Sequence, residues 1–300
     1  MEPWMLITLG AAFAQTLRFM AQKQLKTVGL STGGATFARF VYSAPLVAAL
    51  ILSYSAVSGQ ALPGTNGRFW AFAMVGGGAQ ILATMCVVAI FSHRNFAVGI
   101  TFKKTEVVQT AIVSAVVLGE RVSAIGAIAI GIGFCGVLLL SDPPGGHGAW
   151  RKRVFNRAAG LGLLSGVFFA FSAVGYRGAS LALDSGDVIL RAGYTLAIVT
   201  AVQTAVMTAW LGAREPGQIG AVFGAWRIAG LVGLTSMIGS FCWFTAFTLQ
   251  NAAYVNALGQ VELLFSVAAS VLVFREKVSL REAGGMALLT CSILVLILAL

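Results

Sequence analysis

The charged side chains that matter most in this 300-residue sequence stand inside long apolar runs. They are Arg18, Arg39, Lys103, Lys104 and Arg191 on the basic side, Glu106 and Glu262 on the acidic side. An ionisable group in such a run faces a cavity or a partner, because leaving it alone in a low-dielectric medium is costly. Gln15, Arg18 and Gln22 fall at i, i+3 and i+7, which makes one polar stripe on a helix. Lys103, Glu106 and Thr110 form a second stripe, from which Lys104 is turned away, and Asn256 and Gln260 share a face with Glu262 off it. Such groups suit binding and charge compensation rather than bond-breaking. The two histidines, His93 and His147, fall near or in loops, and no Asp lies clearly within an apolar run, so an intramembrane enzyme lacks its acid–base pair.

The two glutamates leave two readings open. Glu106 and Glu262 pair with Arg39 and Arg191 between packed helices as structural ion pairs, or they carry protons. With those four satisfied, Gln15, Arg18, Lys104, Asn256 and Gln260 are left to line a shared central cavity; snorkelling to an interface is the alternative for Arg18 and Lys104. Aromatics gather at Phe168, Phe169 and Phe171 and at Phe241, Trp243, Phe244 and Phe247. Phe in an apolar run is ordinary packing. Trp243, deep in its run beside Ser236 and Ser240, is a better candidate for the apolar wall of a site, with Phe168 also a candidate. Gln80 and Thr84 occupy the positions of Ser236 and Ser240 in another run, which suggests a site shared by the two.

The elements that must position these residues follow from composition. The chain is 58% hydrophobic and 10% charged, with a mean hydropathy of +0.88, whereas soluble domains carry about 25% charged residues. There are too few charges to cover a globule, so the surface faces lipid. Spans of about 20 apolar residues are expected near 4–22, 32–55, 69–91, 97–118, 122–140, 158–176, 188–210, 228–248, 253–274 and 283–300. The first run begins at Trp4 without a basic leader and reads as a span rather than a cleaved signal. A net charge of +10 does not indicate nucleic acid, because the basic residues lie mostly between apolar runs and no basic stretch interleaves with aromatics. Cys86, Cys135, Cys242 and Cys291 read as small buried hydrophobes, neither disulfides nor a metal set. No phosphate-binding loop follows Gly76-Gly77-Gly78, which with Pro45 offers flexible or kinked points, and no cofactor is expected.

The two halves repeat. At an offset of 156, Cys86 falls on Cys242, Asn95 on Asn251, Glu106 on Glu262, Ser114 on Ser270, Glu120 on Glu276 and Cys135 on Cys291. From Gly76 to Leu140 roughly a quarter of positions match without a gap; earlier the register slips by a few residues to align Arg39 with Arg191. The expected organisation is a first five-helix unit at 1–140, a linker at 141–157 and a second five-helix unit at 158–300. Five is odd, so the second copy enters the membrane upside down, the architecture of alternating-access transporters. Loop charge sets the side: Lys23, Lys26, Arg94, Arg151, Lys152, Arg153, Arg157, Arg214, Arg227, Arg275, Lys277 and Arg281 on one face, against Arg68, Arg121 and Arg177 on the other, put both termini outside. Spans five and ten lack such groups and are rich in glycine (Gly126, Gly131, Gly133, Gly136; Gly284, Gly285), which suits scaffolding at the edge.

Gly119-Glu120-Arg121-Val122 and Arg275-Glu276-Lys277-Val278, each followed by an apolar span with glycines, resemble the end of the EamA-type repeat of the drug/metabolite transporter superfamily. The second copy departs from it with Arg275 where Gly is usual. The whole chain is most similar to the YddG-type aromatic amino-acid exporters within that superfamily. The resemblance implies an all-α membrane protein, two inverted five-helix repeats forming a basket around a cavity between spans one, three, four, six, eight and nine. It implies secondary export of amino acids, aromatic ones included, across a bacterial inner membrane by a protein expected to be monomeric; an exporter of drugs or toxic cations is the alternative. In that reading Arg18 or Lys104 takes the substrate carboxylate, Gln15, Asn256 or Gln260 the ammonium group, and Trp243 with nearby Phe the side chain.

Overall fold

In the computed structural model, which describes residues 2–91, 102–141, 157–265, 268 and 280–298, the elements are helices. They are α1 (Pro3–Thr27), α2 (Thr32–Ser58), α3 (Gly67–Ile90), α4 (Glu106–Val117), α5 (Ala124–Ser141), α6 (Arg157–Leu181), α7 (Val188–Arg214), α8 (Gln218–Gly224), α9 (Trp226–Leu249), α10 (Ala252–Gly259) and α11 (Leu280–Leu298). Seven of them are long and apolar enough to cross a membrane, and α4 and most of α5 are shorter apolar helices. Large apolar side chains such as Phe13, Leu52, Val75, Ile128 and Leu294 point outward, while Arg18, Gln22, Arg39, Lys103, Lys104 and Gln203 are buried. That distribution inverts a soluble protein's and fits a lipid surround. The protein is a multi-pass membrane protein.

Helix ends follow local chemistry. Pro3 opens α1, Ser31 accepts from the Gly34 N–H at the start of α2, and Asn66 from the Phe69 N–H at the start of α3. Asp187 caps α7 through Leu190 N–H and accepts from Tyr54 Oη at 2.7 Å and Gln60 Nε2 at 3.1 Å, so one carboxylate ties α7 to the end of α2. Partial burial raises the Asp187 pKa, but the hydrogen bonds from Leu190, Tyr54, Ile189 and Gln60 outweigh it and hold the carboxyl below its ordinary value. A carboxyl with a lowered folded-state pKa stabilises above the unfolded value and loses that contribution as pH falls through the folded one. Wild-type protein is therefore expected to melt above Asp187→Asn at pH 7, with the gap closing below about pH 4, as thermal unfolding in detergent at the two pH values checks.

Glycine decides how closely the helices approach. A Cβ on Gly175 of α6 would lie 2.7 Å from Gly76 Cα and 2.9 Å from Phe72 O of α3, so these backbones touch. On α5 a Cβ at Gly136 would meet Gly285 O of α11 at 2.8 Å, and Ser292 Oγ donates to Ala129 O at 2.6 Å. Spans five and ten thus pack on each other, while Gly76 and Gly77 serve contact with α6 and α7 inside an unbroken helix rather than a hinge. Cys135 and Cys291 are exposed, a departure from the buried reading, since both stand on outward faces of this pair.

Packing partners include α3 with α6 and α1 with α9; α4 with α6 and α1 with α10; α2 with α7; and α5 with α11. Exchanging α1, α2, α3, α4 and α5 for α6, α7, α9, α10 and α11 maps these pairs onto one another, whereas α2 packs more extensively on α9 than its counterpart α7 does on α3. Helix lengths repeat too: 25, 27 and 24 residues for α1, α2 and α3, and again for α6, α7 and α9. The offset between matched helices varies by a few residues: α1 and α6 end 154 apart, α2 and α7 156 apart, α3 and α9 159 apart. By the bounds of α2 and α7, Arg39 matches Thr195 and stands one turn away from the position of Arg191. The linker at 142–156, the motif at 275–278 and the neighbouring loop charges lie outside the described residues.

Spans four and nine depart most from expectation. The apolar runs predict a continuous helix in each, but turns at 104–105 and 260–261 interrupt them. Thr105 N–H bonds back to Phe102 O, Gln260 N–H to Ala257 O and Val261 N–H to Leu258 O, three residues back instead of four, which winds the chain tighter locally. The two breaks are 156 residues apart. Lys104 and Gln260 thus stand at equivalent interruptions.

Candidate functional site

Between α1, α2, α3, α4, α6, α9 and the broken ninth span lies a partly open cavity. Helix α6 contributes Phe169, Ser172 and Tyr176; α9 contributes Ser240, Trp243, Phe244 and Phe247; Gln15, Arg39 and Gln80 come from α1, α2 and α3. Asn256, Gly259, Gln260 and Glu262 line it from the ninth span, Lys103 and Glu106 from the fourth. The aromatic wall is ordered by stacking: Tyr176 on Phe244 with ring centroids 4.0 Å apart, Trp243 on Phe247 at 5.6 Å. Gly259 has no side chain because the Trp243 ring lies against it.

The charged groups pair differently from expectation. Lys103 Nζ lies 2.8 Å from Glu106 Oε2 within the fourth span, and Lys104 pairs with Glu262 across to the ninth. Gln15 Nε2 donates to Glu262 at 2.7 Å and Gln15 Oε1 accepts from Arg18, which also reaches Gln22. The Glu–Arg pairs are therefore corrected to Glu–Lys pairs among the described residues. The lysines stand on the same or a facing span as each glutamate, and both arginines lie elsewhere. Arg39, 5% exposed, donates to Thr84 Oγ1 at 2.9 Å and Ser240 Oγ at 3.4 Å. Those two hydroxyls occupy equivalent positions in the two halves, 156 residues apart. Arg191 is half-buried, does not reach the cavity, and its Nε has no hydrogen-bond partner.

Of the expected site residues, Gln15, Gln80, Ser240, Trp243, Asn256 and Gln260 line the cavity, together with Arg39, Glu106 and Glu262. Arg18 stands behind Gln15, Thr84 behind Arg39, and Lys104 behind Glu262, where it lines an adjoining hollow with Thr16, Phe19, Met20 and Phe91. Phe168 yields its place to Phe169, and Ser236 is buried outside the lining. Glu262 joins Asn256 and Gln260 because the turn at 260–261 redirects the chain; an unbroken helix would keep it off their face. Ser172 and Tyr176 were missed, although Phe169, Ser172 and Tyr176 at i, i+3 and i+7 are a stripe readable by the same rule that found Gln15, Arg18 and Gln22. Three buried polar atoms near the cavity wall have no hydrogen-bond partner among the described residues: Gln260 Oε1, Trp243 Nε1 and Ser236 Oγ.

At one end of the bundle a clamp ties three segments together. Arg177 Nε donates to both Glu120 carboxylate oxygens at 2.8 Å, and its NH1 to Phe247 O at 2.6 Å and Gln250 O at 2.8 Å. Arg177 is thus a partly buried tie between α6, the α4–α5 connection and the end of α9, rather than a loop charge. Nearby, Tyr254 Oη accepts from Ser123 N–H at 2.8 Å.

Buried polar groups that converge on one central cavity of a helical membrane protein are an arrangement that solute carriers use. The comparisons bear on that class. Residues 156–298 match the EamA-like transporter family, which supports a membrane transporter of the drug/metabolite transporter type. A solved structure titled only as the crystal structure of a protein superposes with a TM-score of 0.74 at 16% identity, over 99% of this chain and 97% of that one, which shows a shared fold. No curated protein matches the sequence.

Proposed function

We propose that the protein is a monomeric secondary exporter of amino acids, aromatic ones included, working by alternating access of two inverted halves in a bacterial inner membrane. The observation that carries this reading is the lining of the cavity: a buried guanidinium, an unpartnered carboxamide oxygen and a stacked aromatic wall around one volume. A zwitterion with an aromatic side chain asks for those three features together. Arg39 takes the carboxylate in place of Arg18 or Lys104, Gln260 Oε1 accepts from the ammonium group, and Trp243, Phe244 and Phe247 hold the ring. The exchange-symmetric packing and repeated helix lengths support two equivalent halves. The hollow beside Lys104 lies on the side of the end of α1 that carries Lys23 and Lys26, which loop charge makes cytoplasmic, while the Arg177 clamp braces the other end.

Counterflow of labelled phenylalanine and alanine in proteoliposomes tests this. Arg39→Gln is expected to lower transport of both by about tenfold or more, the loss of a charge-assisted hydrogen bond. Trp243→Ala is expected to lower phenylalanine transport more than alanine transport. Unchanged transport in both variants refutes the assignment, and inhibition by quaternary ammonium compounds but not by amino acids favours the drug-exporter reading.

A further inference from the structure

We infer that the cavity recognises its substrate as an organic anion, taking aromatic carboxylates whether or not they carry an amino group and rejecting aromatic amines. This rests on the cavity being the transport site. The argument is charge balance. Each acid facing the cavity already has a cation: Glu106 has Lys103 at 2.8 Å and Glu262 has Lys104. Arg39 has only hydroxyl partners, Thr84 at 2.9 Å and Ser240 at 3.4 Å. Behind Gln15, Arg18 donates to the carboxamide oxygens of Gln15 at 3.3 Å and Gln22 at 3.4 Å, lies over the Phe19 ring and shares the field of Glu106 with Lys103. Four buried cations, Arg18, Arg39, Lys103 and Lys104, thus stand around two carboxylates, Glu106 and Glu262, and neither guanidinium is in a salt bridge among the described residues.

In a water-poor cavity that surplus dominates the field a solute meets. A carboxylate gains a planar, forked pairing with Arg39, whose two terminal nitrogens now rest on hydroxyls from different helices, α3 and α9. An ammonium group adds a further cation and finds no unmatched carboxylate; the unpartnered acceptor nearest to hand, the buried Gln260 Oε1, is neutral. Removing it from a zwitterion leaves a solute of charge −1, which opposes the surplus more fully. The carboxylate and the ring thus supply recognition, and the amine is dispensable.

The test uses three probes that share the ring: L-phenylalanine, 3-phenylpropionate and 2-phenylethylamine. Binding to the detergent-purified protein is measured by calorimetry at pH 7, with inhibition of phenylalanine counterflow as a second readout. The expected result is that 3-phenylpropionate binds at least as tightly as phenylalanine and 2-phenylethylamine about tenfold or more weakly. Arg39→Gln is expected to remove most 3-phenylpropionate binding, while Arg39→Lys, which keeps the charge, retains part of it. The wild-type probe series decides even if Arg39→Gln does not fold. Phenylalanine binding without 3-phenylpropionate binding overturns the inference and leaves the exporter reading standing. Amine binding as strong as carboxylate binding overturns it too. Binding of none of the three removes the cavity reading and the inference together.

Discussion

Glu262→Gln is expected to lower stability by about 3–5 kcal/mol, the cost of stranding one member of a buried ion pair. Glu262 holds Lys104 from the facing half and accepts from Gln15, whose other end holds Arg18. Neutralising it leaves the buried Lys104 ammonium against neutral groups and loosens the stripe behind it. Adding Lys104→Met removes the stranded charge, so the double variant is expected to recover a large part of the loss. A double-mutant cycle read by unfolding in mild detergent gives the coupling; simple additivity of the two single losses would show that the pair does not act as a unit. The same variant separates the two roles left open for the glutamate. If Glu262 also carries protons, Glu262→Gln abolishes the dependence of transport on a pH gradient and leaves exchange intact; if it is only structural, the gradient dependence of the surviving protein is unaltered.

Arg177→Ala is expected to widen access to the cavity from the end that the clamp braces. The guanidinium uses three nitrogens to tie Glu120 and the carbonyls of Phe247 and Gln250 together, and Phe247 also lines the cavity. Breaking the tie frees the end of α9 from α6 and from the α4–α5 connection. In a background with Cys86, Cys135, Cys242 and Cys291 replaced, a cysteine at Ser172 is expected to react with a membrane-impermeant thiol reagent about tenfold faster from that side, a shift of about 1.4 kcal/mol in the closed–open balance. Arg177→Lys does not restore the slow rate, because an ammonium group lacks the fork that reaches a carboxylate and two carbonyls at once. Equal labelling in the variant and its parent would show that the clamp braces the fold without gating it.

Hydrophobicity and residue identity are local properties, and what depends on them was legible in the sequence. Scarcity of charge identified lipid as the solvent, the matched cysteines and glutamates suggest a duplication, and the polar residues inside apolar runs include much of the cavity lining: Gln15, Asn256 and Gln260 by helical spacing and Gln80 by its match to Ser236. Partnership was not legible, because it depends on which helix faces which. Glu106 and Glu262 take lysines instead of arginines, and Arg39 and Arg191, alike in sequence setting, separate into a cavity residue and a half-buried one outside it. The breaks at 104–105 and 260–261 were hidden by the assumption of an unbroken 3.6-residue period, and one of them brings Glu262 onto the cavity. Sequence by itself determined where the lipid is and which polar residues avoid it. Only the tertiary structure decided which charges cancel, because cancellation acts between side chains far apart in the chain and falls steeply with distance, and that balance leaves Arg39 as a cavity-lining cation hydrogen-bonded to hydroxyls alone among the described residues.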